Sequence, residues 1–499
     1  MAGPDFSAPD GGAQASERDF IRANWRPGMI TDGELREMTE VRRLDTGQEY
    51  DNPFEEAHIG RYRAPESARA ATADEDILME FVDAQRRPPC FLDAGPRQKL
   101  RFDPCRVKAA IVAVGGTAPS TNAVIHAIVD RHAQYAKQRA KRTGKPDKHE
   151  VLGVKYGFFG MGGPGPAIQP PEPLSVENTA TWSDLAGCEL GLSRYDFHAP
   201  QTRALVAQRL VNELHVEIVY VIGGDGGMRA AAALCDALNA VPGGSTVVVA
   251  GIPKTMDNDI TWVWQSLGFG TALAEAARIL NDLRKDVEAN GRVILVELFG
   301  ADAGFVTALS ALASGKADCV LIPEVRVSPQ TVADYVVERV GQEDNRKHCA
   351  LLVMAEGALL NMAGRLNDVG EIQLPSPDPR ELSYWRRDAR YEALTWMRQA
   401  VRQSLKSSDK PRTEVVMSQP GYLIRAVPGC AEDQNYARRL GDLVVDNALA
   451  GYTRFVISKW LTEYVLVPLD LVGKVEKRVP PQGIMWREVV ASTRQPDLG

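Results

Sequence analysis

Apolar and polar positions along this chain fall into blocks. From residue 103 onward, apolar runs of strand length recur, each closing on a glycine-bearing turn that opens into helically periodic text. Residues 107–114 lead into Gly115 and Gly116 and then a periodic segment to about Ala140; residues 216–222 lead into the glycines of 223–227 and then the segment 228–239. The same rhythm predicts strands at 245–252, 292–298, 318–322, 350–354 and 454–457. It predicts helices at 271–288, 307–314, 330–341, 384–405 and 431–449. Parallel neighbours need a crossover connection, so this alternation predicts an α/β fold with mainly parallel sheets covered by helices. Before residue 103 the text is weakly periodic. Residues 1–20, rich in Gly, Ala, Ser and Pro, read as a mobile tail, and the stretch from Phe20 to Leu100 as an N-terminal extension. Segments 160–173 and 361–379 read as long surface loops.

Charge narrows the choice of partners. The 499 residues carry 58 Lys+Arg against 65 Asp+Glu, a net −7, so there is no basic excess of the kind that binds a polyanion through counterion release. Nucleic acid is not an expected partner. With 44% hydrophobic and 25% charged residues the chain has the makeup of a globular protein, long enough for two or three compact units. Its seven cysteines are widely separated without a CxxC pair, so reduced thiols are expected. No run approaches the ~20 apolar residues of a membrane span, and the N-terminus lacks the basic-then-apolar pattern of a signal peptide. A cytoplasmic protein without a membrane partner is expected.

In open α/β sheets ligands sit beyond the carboxyl ends of strands, so chemistry is sought in the turns. Gly223-Gly224-Asp225-Gly226-Gly227 lies between a strand and a helix. Its glycines let backbone N–H groups approach phosphate oxygens at a helix N-terminus, and Asp225 offers a hard oxygen ligand for Mg²⁺. The same text also serves a plain strand-to-helix turn with an Asp cap, and it is no Walker A loop, because no GK[ST] follows. The second turn, Pro253-Lys254-Thr255-Met256-Asp257-Asn258-Asp259, sets two carboxylates two residues apart beside Lys and Thr. One carboxylate can accept the proton of an attacking hydroxyl, while Lys254 and Thr255 suit phosphate oxygens. Alone it reads equally as a polar turn; the pair of turns favours phosphoryl transfer.

GGDG, then PKT-x-DND, GFGTA at 268–272, VELFG at 296–300, IPE at 322–324 and AEGA at 355–358 together resemble the phosphofructokinases. The ordered match runs from about Asp93 to about Leu471. Segments 93–116, 421–428 and 450–453 resemble the long-chain ATP-dependent branch of plants and trypanosomatids. The resemblance implies two facing Rossmann-like three-layer α/β domains with mainly parallel sheets, plus the N-terminal extension. Residues 96–267 with 425–475 would bind nucleotide, 268–424 the sugar phosphate, with 1–95 as extension and 476–499 as a C-terminal tail. It implies ATP as donor, Mg²⁺, a sugar-phosphate acceptor, by default fructose 6-phosphate, and a homodimer or homotetramer. Asp257 would be the base, helped by Lys254, Thr255 and Asp259. Gly115, Gly116, Arg194, Tyr195, Gly224, Asp225, Gly226, Gly227 and Arg229 would serve the nucleotide, with Asp225 on the metal. Arg292, Gly300, Glu356, Tyr422 and Arg425 would serve the acceptor, with Arg292 reaching across a subunit interface. Pyrophosphate-using members carry an Asp after the metal Asp, where this chain has Gly226, so ATP is favoured; turn conformation is the other reason for a glycine there.

Three positions and one stretch depart from the family pattern: Ala301 replaces an arginine, Val416 a cation and Ser120 a glycine, while GMGGPGP at 160–166 replaces an arginine-bearing stretch. Because these lie at ligand-facing turns, the alternatives are a family kinase with a different sugar or nucleoside-type acceptor, or a non-catalytic nucleotide-binding regulatory subunit. His126, His132 and His149 read as fillers rather than metal ligands, and Trp262 and Trp264 as core residues.

Overall fold

The computed structural model describes residues 17–496 except 28, 56–61, 164–168, 195, 196, 198, 344, 346, 363–378, 409–412, 475 and 476, with backbone only at 17–19, 361–362 and 379–386. The strands that build its two main sheets are β1 (Ala68–Ala70), β2 (Cys90–Asp93), β3 (Lys108–Ala113), β4 (Glu150–Val154), β5 (Glu172–Leu174), β6 (Ile218–Gly223), β7 (Val248–Pro253), β8 (Val293–Leu298), β9 (Cys319–Leu321), β10 (Ala350–Ala355), β11 (Val415–Ser418), β12 (Phe455–Trp460) and β13 (Glu463–Pro468). The helices used below are α1 (Glu17–Asn24), α2 (Thr121–Thr143), α3 (Asp225–Asn239), α4 (Pro379–Ser407), α5 (Ala431–Leu449) and α6 (Ile484–Thr493). They fall into two compact units. The larger comprises Glu17–Leu280 and Pro420–Lys477, the smaller Asn281–Gln419 and Arg478–Gly499.

In the larger unit the sheet order is β1-β2-β13-β12-β7-β6-β3-β4-β5. The strands β4, β3, β6, β7 and β12 are mutually parallel. All six residues of β6 and of β7 are buried, as a strand covered by helices on both faces requires, which is why both read as unbroken apolar runs. Helices α2 and α5 contribute Val124, Ile128, Leu440 and Val444 to the core beside Ile111, Tyr220 and Ala250. A buried ion pair, Arg131 Nη2 to Asp446 Oδ1 at 2.7 Å, ties these two helices together. His132 lies in the same layer, 2.8 Å from the Tyr220 hydroxyl, and burial pushes its pKa down to about 3. His126 meets the Thr179 hydroxyl at 2.9 Å and His149 the Asp147 carboxylate at 2.6 Å.

The N-terminal extension is woven into this unit. Its strand β2 continues the sheet antiparallel to β13, β1 adds antiparallel to β2, and Tyr50–Asp51 pairs with Lys99–Leu100. Glu17 to Phe20, part of the expected tail, open helix α1, whereas residues 1–16 lie outside those described.

The smaller unit holds a four-stranded parallel sheet in the order β9-β10-β8-β11. Ala393, Leu394, Met397 and Val401 of α4 share a core with Leu295, Leu352 and Val415 of the sheet. Trp486 and Val489 of α6 pack with Val320 and Ile322, so residues expected as a tail form part of a core. Beyond α6, the side-chain amide of Gln495 acts as a strand surrogate on the edge strand β9. Its Oε1 accepts from Val320 N at 2.7 Å, and its Nε2 donates to Val320 O at 3.1 Å.

Of the two expected loops, 160–173 contains the end of the short helix Phe158–Gly162 and the start of β5. Residues 363–378 of the other lie outside those described.

Candidate active site

Taken in chain order, the parallel strands of the larger unit lie in space as second, first, third, fourth, fifth. The direction of winding therefore reverses between β3 and β6, and an open α/β sheet has its ligand crevice at such a point. The turn after β3 carries Gly115 and Gly116, and the turn after β6 carries Gly224 and Asp225. Gly115 has φ +87°, a conformation that L side chains rarely adopt. Val114 N donates to the Ile222 carbonyl at 2.9 Å, joining the two strand ends.

The third turn leaves the neighbouring strand. β6 and β7 run in register with Gly223 opposite Pro253, and Lys254 N donates to the Gly223 carbonyl at 2.8 Å. A Cβ placed on Gly224 would lie 3.5 Å from both the Lys254 carbonyl and Thr255 Cβ. The Asp225 turn and the Asp257 turn thus leave the same sheet edge side by side. Along the latter, Thr255, Asp257 and Asp259 are half-buried while Lys254, Met256 and Asn258 are buried, so alternate residues of the turn face outward.

Local bonds fix that turn. Asp257 N donates to Thr255 Oγ1 at 3.2 Å, and Ser266 Oγ donates to the Thr255 carbonyl at 2.7 Å. Asn258 takes a left-handed φ of +54°, which Asn tolerates better than most residues. Its side chain accepts from Ser266 N at 3.0 Å and donates to the Trp264 carbonyl at 3.3 Å. The polar residue between the two aspartates is therefore a staple, one that its type in the sequence could have suggested. Trp262 is fully buried as expected; Trp264 is 53% exposed and is not a core residue.

Lys254 is used differently from the sequence expectation. It is buried, and its Nζ donates to the Val114 carbonyl at 2.9 Å and to the Gly116 carbonyl. Burial pushes its pKa down to about 8. The ammonium secures the turn after β3 from within. Arg194 is exposed, with Nη2 3.3 Å from the place of a Cβ on Gly116, so it lies at the same turn; Tyr195 is outside the described residues.

Asp225 is the first residue of α3 and is ion-paired to Arg229 one turn on. Gly226 and Gly227 share that first turn, whose N–H groups have no partner within a helix. Gly226 is exposed, and the nearest atom to a Cβ built on it is Arg229 Nη2 at 4.0 Å. Neither packing nor backbone conformation requires a glycine there. Among the described residues no three His, Cys, Asp or Glu side chains gather as a metal cage. A single half-buried carboxylate at a helix N-terminus fits Mg²⁺, which is held by one or two carboxylates while phosphates and waters supply the remaining ligands.

In the smaller unit, β8 pairs with β10 on one side and β11 on the other, so their carboxyl ends lie together. Glu297 near the end of β8 is buried. It accepts from Gln419 Nε2 beyond β11 and lies 3.6 Å from Arg390 Nε of α4. Arg390 also forms an ion pair with Glu356, the first residue after β10. Gly300 takes φ +128°, and a Cβ there would stand 2.6 Å from the Ala303 carbonyl, so only glycine fits. Glu297, Arg390 and Gln419 were not among the sequence candidates.

Arg292 is not brought to this group. It precedes β8 at the opposite end of the sheet, roughly 17 Å away along the strand at about 3.3 Å per residue. There it pairs with Asp286 and Glu414, both at 3.4 Å. Tyr422 and Arg425 lie on the short helix Gly421–Arg425 of the larger unit. Tyr422 is 72% exposed, and the Arg425 guanidinium stands 4.5 Å from its ring centre. All seven cysteines are thiols, and no helix among the described residues is long and apolar enough to cross a membrane.

Comparison with known proteins bears on this arrangement. The ATP-dependent 6-phosphofructokinase of Amycolatopsis methanolica is 32% identical over 467 residues, covering 90% of this chain and 93% of the relative. ATP-dependent 6-phosphofructokinase 4, chloroplastic, of Arabidopsis thaliana is 28% identical over 460 residues, covering 90% and 79%. The crystal structure of a pyrophosphate-dependent phosphofructokinase from Marinobacter aquaeolei shares the fold, with a TM-score of 0.58 at 17% identity, covering 78% of this chain and 91% of that one. The sequence model of the family described as phosphofructokinase matches residues 108–448, from the start of β3 to the penultimate residue of α5, and the chain belongs to that family.

Proposed function

We propose that this chain is an ATP- and Mg²⁺-dependent 6-phosphofructokinase that transfers the γ-phosphoryl group of ATP to the primary hydroxyl of fructose 6-phosphate. The observation that carries the reading is the pairing of β6 and β7, which sets the Asp225 and Asp257 turns side by side, the Asp225 turn bordering the sheet's switch point between β3 and β6. Asp257 accepts the proton of the attacking hydroxyl, and Thr255 and Asp259 orient the transferring group. The glycine turns and the first turn of α3 take the donor phosphates, with Arg194 and Arg229 adding charge. Asp225 would hold Mg²⁺, which supplies charge neutralisation on the phosphates when bound. Lys254 keeps the turn after β3 in place. An open Gly226 supports ATP over pyrophosphate, because the fold itself leaves room for the side chain that would repel a nucleotide.

Glu356, Gly300, Tyr422 and Arg425 serve the acceptor in this reading, and Arg292, at the far end of its sheet, serves a neighbouring copy in a homodimer or homotetramer. The chain then works in the cytoplasm. A coupled assay of ADP release, with and without Mg²⁺, tests the reading: turnover on fructose 6-phosphate that Asp257→Asn abolishes supports it, and no turnover refutes it. Ala301 and Val416, where the family has cations, favour a second reading in which a different sugar is the acceptor. A panel of sugars and sugar phosphates separates the two. If the second holds, the double variant Ala301→Arg, Val416→Lys raises activity on fructose 6-phosphate.

A further inference from the structure

The Asp257–Asp259 turn has a second anchor besides β7, and it comes from the far N-terminus of the chain. Three residues after Asp259, Trp262 is fully buried and has φ +62°. A bulky residue holds a left-handed backbone only where its surroundings over-determine it. Here the indole is boxed by four rings. Trp25, just after α1, stacks on it with ring centres 5.4 Å apart and planes 19° from parallel. Phe20 of α1 meets it edge-on at 6.3 Å and meets Trp25 at 5.3 Å. Phe91 of β2 and Trp460 of β12 close the other sides at 5.6 and 6.4 Å. The Trp262 carbonyl accepts from Ser458 Oγ at 2.8 Å.

The segment that supplies two of these rings, α1 with the residue after it, is itself tied down. Arg26 donates to Glu80 through Nε at 2.8 Å and Nη2 at 2.5 Å, and Arg22 stands 3.6 Å from Asp76. The N-terminal segment meets the turn through this aromatic stack.

From this we infer that Trp25 is a positioning residue for the reaction: the N-terminal segment clamps Trp262 and thereby sets where the Asp257 and Asp259 carboxylates stand. The inference rests on the assignment of Asp257 as base. Without Trp25 one wall of the box is gone, Trp262 can relax to negative φ, and the turn shifts while the nucleotide turns after β3 and β6 keep their own supports.

The test is steady-state kinetics on the full chain for Trp25→Ala, Trp25→Phe, Phe20→Ala and Asp257→Asn, with thermal unfolding alongside. A displacement of about 1 Å at the base lowers kcat by roughly tenfold to a hundredfold. The expected pattern is that loss in Trp25→Ala with KM for ATP within about threefold of wild type, and recovery of most of kcat in Trp25→Phe, which retains a flat ring. Should Trp25→Ala fail to fold, Phe20→Ala carries the same kinetic expectation with a smaller loss. A folded Trp25→Ala, or Phe20→Ala in its place, with kcat within twofold of wild type beside an inactive Asp257→Asn overturns the clamp and leaves the base assignment standing. An Asp257→Asn variant as active as wild type overturns the base assignment, and the clamp with it.

Discussion

At the carboxyl ends of β3, β6 and β7 the chain presents glycine turns, a helix start and a row of half-buried aspartates, with one buried lysine whose ammonium is satisfied by backbone carbonyls. At the carboxyl ends of β8, β10 and β11 it presents one arginine between two glutamates and a glutamine donating to one of them. The first edge is shaped by main chain, the second by paired side chains. A backbone-built edge keeps its form when an outward-facing side chain such as that of Asp257 changes, so variants at such positions report on chemistry. A charge-built edge loses form and function together, because removing one partner strands the others in a dry setting.

The largest effect is expected where chemistry alone is touched. Asp257→Asn lowers kcat by about a thousandfold, the usual scale for general-base loss, while urea unfolding stays close to wild type. Next is Lys254, whose pH response has a definite sign. Its pKa is 10.5 unfolded and about 8 folded, so between those values the unfolded chain keeps a proton that the folded chain has released. The stability supplied through this group is lowest below pH 8 and rises by about 3 kcal/mol on going to pH 10.5. The difference in unfolding free energy between wild type and Lys254→Met therefore moves in favour of wild type across that window; a difference that is flat with pH would refute the lowered pKa.

In the charge-built edge, Arg390→Ala should destabilise the protein by about 2 kcal/mol in urea unfolding, below the full cost of stranding a buried pair because Arg390 is partly exposed. Its KM for the acceptor should rise as well, whereas Arg390→Lys should recover stability better than acceptor affinity, since a lysine cannot bridge two carboxylates as a fork. The smallest change is Gly226→Asp. The space is open and an acidic residue suits a first helical turn, so folding is unaffected. The added charge beside the donor phosphates raises KM for ATP about tenfold, or ~1.4 kcal/mol.

The backbone-built edge was the more legible in sequence. Glycines after apolar runs and carboxylates at fixed offsets leave a pattern over a few residues, and β3, β6, β7, β8 and β10 read directly because strands buried on both faces are continuous apolar text. The strand β4 was missed because Gly153 and a flanking glutamate break its run, and β13 because it returns antiparallel from β12 without a helix between. Arg390 gave no local signal: in a 29-residue helix rich in charge it reads as one more solvated face, and only tertiary contact with Glu297 and Glu356, 93 and 34 residues away, singles it out. Trp25 was hidden for the same reason, its partner lying 237 residues downstream.

The seal that Gln495 makes on Val320 has a practical bearing on handling the molecule. A lone strand edge invites another chain to add to it, and here a single amide near the last described residue occupies that edge. Trimming the C-terminus, or fusing a tag too close to it, would uncover the edge and favour aggregates whose cause lies far from any catalytic group.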